Sequence, residues 1–242
     1  KNDLRVQNAL IVVASYFFYG WWDWGFLFLI FASTIADFFI ALAISSQAHQ
    51  RRRAFLLTAS IVLNLCILGL FKYYNFFMDN FASAFAIFGR EWAFHPVSIV
   101  LPVGISFYTF QLLSYTIDVY RRKIVPAKDF LAFSAYVSFF PQLVAGPIER
   151  ATHLLPQFYA KREFNYVKAV DGLRQILWGL FKKILIADNC ATYVDYVFSP
   201  SSQTSGSTIA LGAVLFAFQI YGDFSRYSDI AIGAARVFGI DL

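Results

Sequence analysis

Charge is scarce in this chain. Asp, Glu, Lys and Arg make up 14% of its 242 residues, where a soluble domain carries about a quarter. That excludes an ordinary water-soluble globule. Cysteine is scarcer still, with only Cys66 and Cys190. They lie far apart in apolar contexts, form no C-x-x-C and no metal-ligand spacing, and read as buried free thiols. No Gly-rich phosphate loop, G-x-S-x-G elbow, H-E-x-x-H helix or paired-carboxylate signature is present, which excludes a self-contained active site of the soluble type. There is no basic stripe of the kind nucleic acid requires, so no nucleic-acid partner is expected.

What the chain has instead is apolar length. Hydrophobic residues make up 59%, and Phe alone occurs 29 times. A spanning helix needs about 20 mostly apolar residues. Candidate spans run over Leu10–Trp22, Phe26–Ile44, Ala54–Phe77, Leu101–Tyr120 and Val170–Ala187. Two further apolar pieces, Ile209–Tyr221 and Ile230–Ile240, are joined by the polar run Gly222-Asp223-Phe224-Ser225-Arg226-Tyr227-Ser228-Asp229. Ala82–Val100 reads as a mixed loop with a helical part and Ser199–Ser207 as a Pro/Ser/Gly loop. The expected class is all-α: a polytopic transmembrane helix bundle embedded in a lipid bilayer. It is read as one domain over residues 1–242, cut at both ends, since the chain opens on Lys1 and stops just after an apolar segment.

Basic clusters orient such bundles toward the cytoplasm. Arg51–Arg53 and Arg121–Lys123 are separated by two expected spans and fit one side, with the Trp21–Trp24 turn and the Glu91–Ser98 loop on the other. Arg150, Lys161, Arg162 and Lys168 also fit the cytoplasmic side. Positive charge then flanks Phe130–Ile148 at both ends, so this segment is expected to re-enter or break inside the bundle. Its Pro141, Gln142, Gly146 and Pro147 sit in an otherwise apolar run. Broken backbone survives at membrane depth only against protein or a wet cavity.

Few residues carry candidate chemistry. His49 beside an Arg cluster, His95 before Pro96 and His153 in a loop lie outside the apolar helices and read as surface residues. Asp223 and Asp229, with Ser225 and Arg226 between them, read equally as an intramembrane functional site or as a turn capping two helices. Asp37 and Asp118 are weaker versions of the same signal, Asp118 being within i, i+3 and i, i+4 reach of Arg121 and Arg122. Lys182-Lys183 interrupt an apolar helix, and snorkelling to the interface is the first reading, attraction of an anionic ligand the second.

Phe139-Phe140-Pro141-Gln142-Leu143-Val144-Ala145-Gly146-Pro147-Ile148-Glu149-Arg150 resembles the signature of the membrane-bound O-acyltransferases. The likeness is to the bacterial branch that contains the alginate O-acetylation membrane subunit. Leu101–Gln111, Ser114–Arg121, Leu70–Phe77 and Gln219–Gly233 are also typical of that branch and occur in family order. Two positions depart from it: Gly222 stands where Phe is usual, and Arg226 where Gly is usual. The resemblance implies transfer of an acyl group, acetyl first, from a cytoplasmic donor such as acetyl-CoA, with no permanently bound cofactor. The implied acceptor is a hydroxyl on an exported polysaccharide, reached with an extracytoplasmic acyltransferase partner. It also implies a multi-pass protein of the bacterial cytoplasmic membrane. The family's essential His follows the Tyr227-Ser228-Asp229 segment in a run this chain does not contain, so no catalytic residue and no metal ligand is expected among these residues. The substrate cavity is expected to draw on Gln111, Pro141, Gln142, Gly146, Pro147, Arg150, Asp223, Ser225, Tyr227 and Asp229, with Arg150, Lys161 and Lys182 toward the donor. A transporter or channel with broken helices is the alternative, though no paired repeat is visible. A purely structural membrane subunit is a further one.

Overall fold

A computed structural model describes residues 2–21, 23–87, 100–143, 146–147, 149–199 and 204–242. Among these, the regular structure is entirely helical. Three helical stretches are long and apolar enough to cross a membrane: Trp24–Ser46, Gln50–Phe85 and Gly206–Val237. The chain divides into two compact units. One is Lys1–Val144 with Ile148–Ala160; the other is Ala145–Pro147 with Lys161–Leu242.

In the first unit α1 covers Asn2–Gly20 and α2 covers Trp24–Ser46. Asp23 starts α2, its side chain accepting the Gly25 N–H at 2.7 Å. α3, Gln50–Leu68, runs through a π-helical turn at Gly69–Tyr73 into α4, Tyr74–Ile87. α5 is Ile105–Tyr120. At 16 residues it is about 24 Å long, short of the roughly 30 Å hydrocarbon layer. The span expected at Leu101–Tyr120 is therefore an interior helix. Tyr108, Leu112, Tyr115 and Thr116 on it are fully buried, and α2, α3, α6 and α8 pack around it.

α6 is Phe130–Ser138 and α7 only Phe140–Leu143. α8, Ala151–Leu154, passes into a 3-10 turn at Leu155–Phe158. Aromatic rings fill the space between these pieces and α2: Phe133 lies 4.6 Å from Tyr115 and 5.6 Å from Phe38, and Phe139 meets Phe158 edge-on at 5.7 Å.

The sidedness of the surface identifies the solvent. Phe17, Phe28, Phe39 and Phe55 face outward, while Ser15, Ser33, Asp37, Ser60 and Asn64 are buried. Such inversion suits helices whose outer faces meet lipid and whose contacts are made by small and polar side chains. The same arrangement corrects the reading of the thiols. Both are free, but Cys66 is exposed on the outer face of α3 and Cys190 is partly exposed.

In the second unit α9, Tyr166–Phe181, continues through a π-helical turn at Lys182–Ala187 into α10, Asp188–Val197. α11 is a single helix, Gly206–Val237, of 32 residues. The two apolar pieces expected on either side of a polar turn are thus one helix, and neither Asp223 nor Ser225 caps anything. Gly222, Ser225, Arg226, Asp229, Gly233 and Arg236 recur at i, i+3, i+4 spacing and form one face. That face packs antiparallel along α9 and the π-turn.

Glycines set the approach. A Cβ on Gly172 would meet the Gly233 carbonyl oxygen at 2.5 Å, one on Gly179 the Arg226 carbonyl at 3.0 Å, and one on Gly222 the Ala187 Cβ at 3.1 Å. The departure at Gly222 therefore has a local reason: the backbone of the π-turn lies against it.

Candidate functional site

The candidate residues fall in both units. In the first unit Gln111, Pro141 and Gln142 gather at the break between α6 and α7. Phe139 leaves helical geometry there, with φ −53° and ψ 103°. The break costs the helix its bond between the Tyr136 carbonyl and the Phe140 N–H, a full i to i+4 pair. Both orphaned groups are met by side chains. Gln111 Nε2 on α5 donates to Tyr136 O at 2.9 Å, and Phe140 N donates to Ser15 Oγ on α1 at 3.2 Å. Pro141 brings no N–H of its own. This is how interrupted backbone is tolerated in lipid.

Gln142 is 3% exposed and its Oε1 has no hydrogen-bond partner, so a buried acceptor is left open beside the break. Arg150 is exposed and begins α8, its carbonyl accepting from His153 N and Leu154 N. His153 Nδ1 lies 3.1 Å from Glu149 Oε2 on the surface, and His49 is exposed at the start of α3. His95, the Glu91–Ser98 loop, Val144, Ala145 and Ile148 lie outside the described residues.

A second polar cluster in this unit was only weakly visible in the sequence. Asp37 is fully buried on α2. Ser60 Oγ donates to its Oδ1 at 2.5 Å and Asn64 Nδ2 to its Oδ2 at 2.7 Å, while Ser60 also reaches Thr116 Oγ1 at 3.3 Å. Both carboxylate oxygens are thus occupied and α2, α3 and α5 are tied together. Asp118 is buried as well, its carbonyl accepting Lys123 N at 2.9 Å. Nearby, Tyr159 OH accepts the Asp129 N–H at 3.4 Å. Burial pushes this phenol upward, against the Asp129 bond, and it stays protonated at neutral pH.

In the second unit the seam between α9 and α11 carries a ladder of charges. Lys182, 5% exposed, forms an ion pair with Asp229 and donates to Ser225 Oγ. Gln175 Nε2 donates to Asp229 Oδ1 at 3.2 Å. Arg236 Nη1 bonds Gln175 Oε1 at 2.7 Å and Asp171 Oδ2 at 2.5 Å. On the other side Lys183 Nζ lies 2.5 Å from Asp188 and 3.0 Å from Asp223.

Arg226 Nε is 3.5 Å from Asp223 Oδ1, and its guanidinium lies 4.2 Å over the ring of the exposed Tyr227. The Arg226 departure therefore joins an existing carboxylate rather than standing between two. Snorkelling is overturned for Lys182, and its charge is already matched, which removes it as a free cation for an anionic donor.

Asp223, Ser225 and Asp229 meet Lys183, Lys182 and Gln175 on the π-turn and α9, partners that lie 40 or more positions away in the chain. Gly146 is buried and Pro147 half-buried in this unit. Arg162, in the connection before α9, is half-buried, and burial lowers its guanidinium from its ordinary value. Among the described residues no group of His, Cys, Asp and Glu could hold a metal ion.

An interrupted helix in one unit, a charged helix seam in the other and helices long and apolar enough to cross a membrane define an all-α membrane protein. No family model matches the chain, but curated proteins do. It is 40% identical over 239 residues to a probable alginate O-acetylase of Azotobacter vinelandii, a match covering 98% of this chain and 47% of that protein. It is 39% identical over 236 residues to the probable alginate O-acetylase of Pseudomonas aeruginosa, covering 97% and 45%. A peptidoglycan O-acetyltransferase of Helicobacter pylori is 33% identical over 268 residues, covering 100% and 50%. The chain spans about half the length of the curated relatives it matches. Over its own residues it is similar to these O-acetylases and to the O-acetyltransferase.

Proposed function

We propose that this chain forms part of an enzyme that O-acetylates an exported polysaccharide from within the bacterial cytoplasmic membrane. The observation that carries this is the match to O-acetylases over 97–100% of the chain. The acetyl donor is cytoplasmic acetyl-CoA. In the reaction the thioester C–S bond breaks, an oxygen ester C–O bond forms, and the hydroxyl proton passes to the departing thiolate. A polyanionic donor is drawn to a basic membrane face, and Arg150 and Lys161, both exposed, are the donor-side cations.

The proton-accepting base is assigned to a His outside these residues. His49 and His153 are exposed, and His153 is engaged by Glu149. The residues described here supply the frame. Gln111 and Ser15 hold the interrupted helix open, Gln142 offers a buried carbonyl beside it, and the Lys182–Asp229 seam fixes α9 against α11. An extracytoplasmic acyltransferase receives the acetyl group on the far side.

Inverted membrane vesicles containing the full-length protein test this with radiolabelled acetyl-CoA. Label should appear on the protein or on a co-expressed polysaccharide and should fall with Arg150→Ala. Solute flux with no transfer from any acyl-CoA would move the assignment to a transporter.

A further inference from the structure

One end of the first unit concentrates positive charge around a cavity. It is lined by Ser45 in the last turn of α2, Gln47 just after it, Arg53 in the first turn of α3, and Arg122 and Lys123 after α5, and it has a volume of about 310 Å³. No carboxylate is among its lining residues. Arg53 is 4% exposed. One of its nitrogens, Nη2, caps α5 by donating to Tyr120 O at 2.6 Å, and its guanidinium lies 5.4 Å over the Tyr120 ring. Its Nε has no partner. A buried, unpaired donor on a guanidinium is unusual enough to ask what it faces, and here it belongs to a side chain that lines the cavity.

The second observation is the turn that presents Arg122. After α5 the Lys123 N–H bonds Asp118 O at 2.9 Å and the Arg122 N–H bonds Val119 O at 3.0 Å. These are the two bonds of a Schellman close, whose left-handed position normally holds Gly. Arg122 occupies it at φ 58°. α11 closes with the same pair of bonds, from Ile240 to Ala235 and from Gly239 to Arg236, and there the left-handed residue is Gly239 at φ 73°. The chain thus uses glycine at one such turn and accepts a strained arginine at the other, the one beside Arg53. Side-chain chemistry explains the difference, because backbone economy favours glycine.

We propose that this cavity is a phosphate-binding site, in which the Arg53 and Arg122 guanidinium groups and the Lys123 ammonium hold the oxygens of a phosphate ester. Arginine forks match phosphate oxygens and lysine adds a point charge. The cavity sits at an end of the bundle flanked by Arg51, Arg52 and Arg121, where an anionic lipid headgroup or a soluble phosphate compound can reach it. The proposal does not depend on the acetyl-transfer reading.

The test uses the full-length protein purified in neutral detergent, compared with Arg122→Gly/Lys123→Ala. This variant removes two cations while placing the residue the turn prefers, so loss of fold is not the expected outcome; helical circular dichroism checks it. Native mass spectrometry is run with phosphatidylglycerol and with phosphatidylcholine, and thermal midpoints are taken with inorganic pyrophosphate. Each cation near an anionic headgroup is worth about a factor of five, so the pair should shift retention by tenfold or more. Preferential retention of phosphatidylglycerol, lost in the variant, identifies a lipid phosphodiester. A pyrophosphate-induced rise in midpoint in the wild type only, with no lipid preference, identifies a soluble phosphate ligand. If wild type and variant behave alike with both probes, the proposal is overturned.

Discussion

Replacing Lys182 with Met should be among the most damaging single changes in the second unit. Lys182 is 5% exposed, and Asp229 would keep only the 3.2 Å bond from Gln175. Removing one partner of a buried ion pair costs about 3–5 kcal/mol, because the other charge stays desolvated. A retained hydrogen bond offsets about 1 kcal/mol of that, which places Lys182→Met near ~3 kcal/mol. Asp229→Leu strands the ammonium on Ser225 alone and should cost about the same.

The double variant Lys182→Met/Asp229→Leu places two apolar side chains in the seam, and such replacements are often neutral. It should recover to within about 1 kcal/mol of wild type, giving a coupling of at least about 2 kcal/mol. SDS-driven unfolding of the full-length protein, followed by circular dichroism, reads all three. Single variants costing under about 1 kcal/mol, with a double equal to their sum, would refute the seam as a coupled pair. The same set separates structure from chemistry: a double variant that regains stability but not acetyl transfer assigns the pair a role beyond packing.

Other consequences are local. Gln111→Leu leaves Tyr136 O unpaired and should destabilise by about 1–3 kcal/mol, with faster hydrogen exchange confined to the α6–α7 break. Ser15→Ala should cost about 1 kcal/mol and raise exchange at the Phe140 amide specifically. Gly233→Val must push α9 off α11, since Ile176 and the Gly172 carbonyl already touch that position; a loss of 1–3 kcal/mol in the SDS assay, about the range for overpacking, is expected. Arg122→Gly alone should stabilise the protein by about 1 kcal/mol by relieving the left-handed arginine, read as a rise in thermal midpoint.

Helical class was legible because lipid allows only helices or closed barrels, and apolar runs of about 20 residues fit a helix where a barrel strand needs about 9–11. The break at Pro141 was legible for a similar reason. What the sequence hid was partnership. Asp223, Ser225 and Asp229 read equally as a capping turn or an intramembrane site because polar residues cluster between apolar pieces. Their 3.6-residue spacing, shared with Gly222, Gly233 and Arg236, was the signal for one continuous helix with a polar seam. Lys182 looked like a snorkelling residue because its counter-charge lies more than forty positions away, on α11. The resemblance places Gln111 toward the cavity, and its amide holds up broken backbone. Ser15, its counterpart on α1, has no sequence signature, since a serine in an apolar helix shows its use only once the break is placed beside it.

The central claim is acetyl transfer from a cytoplasmic donor to an exported polysaccharide, and sidedness tests it most directly. Inverted and right-side-out vesicles carrying the full-length protein would be given radiolabelled acetyl-CoA, which does not cross the bilayer. Label on polysaccharide or protein only in inverted vesicles, where the cytoplasmic face is outermost, is the predicted result. Equal labelling from both faces, or none from either, would contradict the account.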